Sequence, residues 1–152
     1  MLKIVSGGQS GVDRAALDFA IENNIEYGGY VPKGFKSEDG GLTKEKYPNM
    51  VESKSSDYKV RTEENVINSD GTLIIYKNLS GGTKLTVKYA EKHRKPYLLI
   101  KMSDDIKEEA KVIKTFLEDN NIEVLNVAGN RGSKVPDIYD YTKILLATSL
   151  TK

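Results

Sequence analysis

The sequence predicts an α/β domain, a mostly parallel sheet with helices on both faces, and three observations carry that expectation. Short apolar, β-branched runs alternate with segments of helical spacing along the whole chain. Strands joined through helical crossovers lie parallel, because only a long connection returns the chain in the same direction. Three of the runs lead into small-residue turns, at residues 6–11, 78–83 and 128–134. In such sheets ligands bind beyond the carboxyl ends of the strands, so this topology sets all three turns on one rim.

Size and composition narrow the function classes. At 152 residues the chain fits one domain, residues 1–152, with room for a core that needs no disulfide or metal staple. Lys plus Arg (23) nearly balances Asp plus Glu (22), so the basic excess of a nucleic-acid binder is missing. With no cysteine there is no disulfide, thiolate nucleophile or thiolate metal site. The single histidine, His93, rules out a multi-histidine cage, so no protein-ligated metal is expected. No apolar stretch approaches a membrane span, and residues 2–5 are too short for a signal sequence. A cytoplasmic protein is the expectation.

The first strand, residues 2–5, runs into Ser6-Gly7-Gly8-Gln9-Ser10-Gly11, and a helix opens at Val12 with apolar points at Ala15, Ala16, Phe19 and Ala20. A strand turning through glycine into a helix makes an anion site, because the first helical amides lack partners and glycine admits a ligand to the backbone. Ser10 is placed to cap that helix. The spacing is neither the dinucleotide GxGxxG nor a lysine-bearing Walker loop. A tight turn that binds nothing explains the same glycines equally well.

Residues 25–31 read as one strand. Residues 32–57 show no sustained periodicity, and a loop that long in a compact domain is usually functional or disordered; function is favoured, since loops on a rigid sheet carry sites. A short helix is expected over residues 58–68, and Thr72-Leu73-Ile74-Ile75-Tyr76 is a strand covered on both faces. The second turn, Asn78 to Thr83, precedes a helix expected over residues 84–93. A strand over residues 97–102 and a helix starting at Ser103-Asp104-Asp105 follow, the acidic residues suiting the dipole. A strand over residues 122–127 then leads to the third turn, and Pro136 sits near the start of the last helix.

Five blocks in order, Ser6 to Asp18, Pro32 to Pro48, Arg61 to Ile75, Leu79 to Thr86 and Leu125 to Lys134, resemble the family of putative molybdenum carriers, which includes molybdenum-cofactor carrier proteins. That family falls in the Rossmann-like SLOG superfamily, similar to the lysine-decarboxylase-like phosphoribohydrolases. The resemblance implies a nucleotide or nucleotide-derived ligand and assembly as a homo-oligomer, dimer or tetramer. It also implies that Gly7, Gly8, Gln9, Ser10 and Gly11 form one phosphate or pterin contact, and Ser80, Gly81, Gly82 and Thr83 a second. The second block resembles the PGGxGT loop of the hydrolases, with Ser80 for the proline. Their catalytic arginine has a counterpart in Arg61, but Lys84-Leu85-Thr86-Val87-Lys88 offers no glutamate where theirs lies. The departure argues for binding over N-glycoside hydrolysis.

Further candidates come from side-chain chemistry. Arg14 is able to clamp a phosphate in bidentate fashion, or to pair with solvent or with Asp13. Lys33 and Lys36 either close over an anion or stay solvated. Glu38 and Asp39 beside Gly40-Gly41 either bond a ring or ribose edge or shape a turn. Arg61 and Asn65 share a helical face. Asn130, Arg131, Ser133 and Lys134 supply donors on the third turn, Arg131 foremost. Lys84 reads more simply as a surface residue, and His93 as a solvated last-turn residue. The expected function is a binding protein for a phosphorylated small molecule: the molybdenum cofactor (molybdopterin) by resemblance, or a cyclic or ADP-ribose-type signalling nucleotide. Neither nucleic acid nor a membrane is an expected partner. The alternative is a nucleotide-processing hydrolase using Arg61 with Asp13, Glu38 or Asp39.

Overall fold

The elements run β1 (Lys3–Val5), α1 (Val12–Glu22), β2 (Glu26–Gly28), β3 (Tyr30–Val31), β4 (Val51–Glu52), α2 (Tyr58–Ile67), β5 (Gly71–Tyr76), α3 (Gly81–Lys92), β6 (Tyr97–Lys101), α4 (Ile106–Asp119), β7 (Val124–Gly129) and α5 (Ile138–Leu150) in a computed structural model that describes residues 2–150. Five strands form one sheet in the order β2-β1-β7-β5-β6, and every pairing is parallel. Helices α1, α5 and α4 pack side by side on one face, and α2 packs on α3 on the other. Numbered from β5, the sheet order reads 2-1-3-4-5, a common doubly wound arrangement whose order reverses between β5 and β7. This chain therefore enters that arrangement at its fourth strand, and a crevice is expected where the order reverses.

Alternation along β5 supplies both faces. Leu73 and Ile75 join Ile4, Val12, Phe19, Ile113, Leu125 and Leu146 in the main core under α1, α4 and α5, all essentially inaccessible to solvent. Each such side chain contributes about 1.5–3 kcal/mol on burial. On the α2/α3 side the buried Asn126 amide donates to Thr72 Oγ1 at 3.2 Å, which satisfies polar groups that would otherwise weaken the sheet.

The elements depart from the sequence reading at several points. Residues 25–31 are two strands, because the chain breaks at Gly29, whose φ is 121°, and β3 pairs with β4 in a small second sheet. A Cβ at Gly29 would lie 2.6 Å from the Ser6 carbonyl oxygen, so the path of the backbone decides the break. Helix α3 begins at Gly81, three residues before the expected start at Lys84: Ser80 Oγ accepts from the Thr83 amide at 3.3 Å and closes the first turn. Ser10 does not cap α1; Gly11 holds that position with no side-chain bond. Strand β7 extends to Gly129.

The aperiodic stretch 32–57 is ordered by tertiary contacts. Leu42, Tyr47 and Met50 bury themselves against Leu17 and Val31 in a second, smaller core. The Tyr47 hydroxyl donates to Asp18 at 2.6 Å, and Tyr139 donates to the same carboxylate, fastening this loop and α5 to α1.

Candidate functional site

A crevice of about 610 Å³ opens at the carboxyl edge of the sheet, between α2 and the first turn of α3. Gln9 and Asp13 come to it from the first glycine turn and α1, and Ser80, Gly81 and Gly82 from the second. Ala128, Gly129, Arg131 and Lys134 come from the end of β7 and the turn beyond it. Tyr58, Lys59, Arg61 and Thr62 form the α2 wall, and Leu85 and Thr86 continue the α3 wall. The crevice thus lies at the reversal of strand order, and all three glycine turns contribute to it.

The turns meet because their backbones interlock. Asn130, which is buried, accepts from the amides of Lys77 (2.8 Å) and Asn78 (3.3 Å) and donates to the Asn78 carbonyl at 2.9 Å. It staples the exit of β7 to the exit of β5. Gly11, at φ 86°, packs under the third turn so closely that a Cβ would lie 2.3 Å from the Asn130 carbonyl oxygen. Only glycine fits both that angle and that approach. Gly7 lies against Arg61, where a Cβ would sit 2.2 Å from Nη1.

The floor holds a buried ion pair. Arg61 Nη1 lies 3.6 Å from Asp13 Oδ2, both side chains being at most a tenth exposed. Burial pushes the Asp13 carboxyl above its ordinary range, with the Arg61 charge the largest opposing influence. Burial also lowers the Arg61 guanidinium, and Asp13 partly restores it. Desolvation is the largest influence on both partners, as is common for buried pairs. Two atoms beside it are buried with no partner among the described residues, Gln9 Oε1 and Arg61 Nε. Gln9 is oriented by donating from Nε2 to the Lys36 carbonyl at 2.9 Å.

The mouth is cationic. Lys59, Arg61, Arg131 and Lys134 line the crevice against a single carboxylate, Asp13. The Tyr58 ring sits among three cations, with Lys36 Nζ at 4.2 Å, the Arg131 guanidinium at 4.4 Å and that of Arg61 at 5.7 Å. Ser80 and Thr83 cap each other, since the Thr83 hydroxyl donates back to the Ser80 carbonyl at 2.8 Å. The capping leaves the Gly81 and Gly82 amides at the positive end of α3, on open surface where a Cβ at Gly81 would meet nothing.

Of the residues singled out in the sequence, Gln9, Asp13, Arg61, Ser80, Gly81, Gly82, Arg131 and Lys134 line the crevice. Gly7 packs behind Arg61, Gly11 under the third turn and Thr83 behind Ser80, whereas Gly8 faces Leu42 and Val31 of the smaller core. Arg14 spends its fork elsewhere: it bonds Asp39 through both terminal nitrogens (3.1 and 3.0 Å), and its Nε donates to the Gly8 carbonyl at 2.9 Å. It fastens the 32–57 loop to the first glycine turn, its fork engaged by Asp39 and directed away from the crevice lining. Asn65 pairs with both backbone groups of Tyr30 (2.8 and 3.0 Å), so its side chain braces β3. Lys33 is exposed and lies off the crevice lining. Ser10 and Glu38 meet on the rim. His93 caps α3 and contacts Glu63 at 2.6 Å, away from the crevice. Tyr58, Lys59, Thr62, Leu85 and Thr86 were not legible as site residues, although Tyr58 stands three before Arg61, on the same helical face. Among the described residues no cluster of His, Asp or Glu is arranged to hold a metal ion, and no helix is long and apolar enough to cross a membrane.

The fold and crevice define a class: a doubly wound α/β domain, entered at a permuted point, with a ligand-sized, net cationic crevice at its switch point. The comparisons make this specific, and the chain belongs to the circularly permutated YpsA SLOG family, whose model matches residues 4–150. A crystal structure of a "putative molybdenum carrier protein" from Syntrophus aciditrophicus SB is 48% identical, with a TM-score of 0.94 over 99% of this chain and 96% of that one. No curated protein matches the sequence.

Proposed function

We propose that this chain is a binding protein for a phosphorylated, nucleotide-like or pterin small molecule. The observation that carries the reading is the charge and shape of the crevice: about 610 Å³, four cationic lining residues against Asp13 on the floor and Glu38 on the rim, and the open amides of α3 at its wall. Pockets of this size suit a nucleotide-sized ligand. A phosphate group gains from the α3 amides and from Arg131 and Lys134. The N–H edge of a heterocycle gains from Gln9 Oε1, which otherwise has no partner among the described residues, and from the Asp13 carboxylate beside it.

The molybdenum cofactor fits this donor set as cargo. Its phosphate suits the α3 turn, its pterin edge suits Gln9 and Asp13, and the relative's description supports the assignment. With no cysteine in the chain, recognition runs through the organic part and the phosphate. A homo-oligomer in the cytoplasm completes the proposal.

The test is native mass spectrometry of the purified protein, with thermal shifts against purine nucleotides, ADP-ribose and reduced pterin phosphates. A ligand at 100 times its Kd adds about 2.7 kcal/mol, a rise of roughly 5–11 °C for a domain of this length. Stoichiometric binding with the compound recovered intact is the expected result. No shift with any of them overturns the reading, and so does release of free base from a nucleotide.

A further inference from the structure

The 32–57 loop places one of its own carboxylates in an anion cradle at the edge of the crevice. Glu38 Oε1 accepts from the Ser10 hydroxyl, and Oε2 accepts from the Ser133 hydroxyl at 3.0 Å and from Arg131 Nη1 at 3.4 Å. These three partners come from the first and third glycine turns, brought together by a 3.1 Å bond from the Gly132 amide to Ser10 Oγ. Two hydroxyls and a guanidinium converging on one carboxylate form a donor set that also suits a phosphate. Arg131 belongs both to this cradle and to the crevice wall, where it stacks on Tyr58. The same loop segment holds Gln9 through the Lys36 carbonyl and Arg14 through Asp39.

We propose that the Ser10–Arg131–Ser133 cradle is a second anion subsite of the crevice, occupied by Glu38 in the free protein, and that an incoming phosphate displaces this carboxylate. The inference rests on the reading of the crevice as a site for phosphorylated ligands. Glu38 is then a built-in competitor: it keeps Arg131 and the two serines ordered, and its release frees the segment around residues 36–39 when ligand arrives. The cradle holds a guanidinium and two hydroxyl donors, so a more highly charged anion such as pyrophosphate competes with Glu38 better than orthophosphate does.

The experiment is titration calorimetry with orthophosphate and pyrophosphate on the wild-type protein, on Glu38→Gln and on Glu38→Gln/Arg131→Ala. Far-UV circular dichroism confirms that each variant is folded. Removing the resident charge tightens pyrophosphate binding by about tenfold in Glu38→Gln, about 1.4 kcal/mol, and the added Arg131→Ala abolishes that gain. In the wild type, trypsin cleaves after Lys36 faster with pyrophosphate present than without. Equal affinity in wild type and Glu38→Gln overturns the inference, as does failure of all three proteins to bind either anion. Thermal shifts with the nucleotides and pterins separate the two readings. If those ligands bind wild type and Glu38→Gln alike, only the Glu38 latch falls; if neither protein binds any of them, the crevice reading falls too.

Discussion

Replacing Asn130 by alanine tests whether the crevice is built by a staple between two strand exits. The Asn130 side chain is almost fully buried, at 2% exposure, and makes three bonds to the backbone of residues 77 and 78. Each hydrogen bond contributes about 1 kcal/mol net. The 3.3 Å bond to Asn78 is the weakest of the three, and the freed groups of Lys77 and Asn78 are near enough to the surface to find water. The expected loss is therefore about 2–3 kcal/mol, out of a total near 5–15 kcal/mol. With a urea slope near 2 kcal/mol/M this lowers the midpoint by roughly 1–1.5 M. Asn130→Asp keeps both acceptor bonds but sets a buried carboxylate oxygen against the Asn78 carbonyl oxygen, so it costs at least about 2–3 kcal/mol while leaving the Lys77 amide bonded. Urea unfolding followed by circular dichroism gives both values, and hydrogen exchange reports protection of the Lys77 amide, lost in the alanine variant and kept in the aspartate. A midpoint for Asn130→Ala within error of wild type, or unchanged protection at Lys77, would refute the reasoning.

Other outcomes follow from the same geometry. Gly11→Ala combines a positive φ with a Cβ 2.3 Å from a backbone oxygen, so it destabilises by at least about 2–3 kcal/mol and shifts the thermal midpoint accordingly. Ser80→Ala removes the α3 cap, costing about 1 kcal/mol and weakening phosphate binding in a titration, whereas a capping mutation remote from a site would leave affinity unchanged. Arg14 bonding holds Asp39 at about 2, below its ordinary value of 3.8. Its stabilisation is therefore present above about pH 4 and lost as pH falls toward 2. Because the carboxylate is 45% exposed, solvent screening reduces the contribution to about 1 kcal/mol, and acid unfolding of Asp39→Asn lacks that component. Asp13 has the opposite sign: burial raises it, so the fold retains its proton longer than the unfolded chain does. That share of stability is full below about pH 4 and is lost as pH rises through the raised value. Asp13→Asn flattens this slope in pH-dependent unfolding; an identical slope would show that another group titrates.

Much of this molecule is set by local sequence. The 3.6-residue spacing of Val12, Ala16, Phe19 and Ala20, the β-branched run of β5 and the glycines after strands fix element types and a parallel sheet, because local sterics and burial of one face act over neighbouring residues. Placement of the three glycine turns on one rim follows from that parallel order alone. Long-range contacts settled the rest. Gly29 breaks a strand because Ser6, 23 positions earlier, passes beneath it. Ser10 looks like a cap but serves Glu38 and Gly132, and Arg14 looks like a phosphate clamp but is taken by Asp39. The aperiodic 32–57 stretch carries its order in a second core that periodicity does not reveal. A side chain's chemistry is written in its own residue, whereas its partner is chosen by where the whole chain folds. For that reason the sequence determined the rim, and only the tertiary structure decided which donors on it stay free for a ligand.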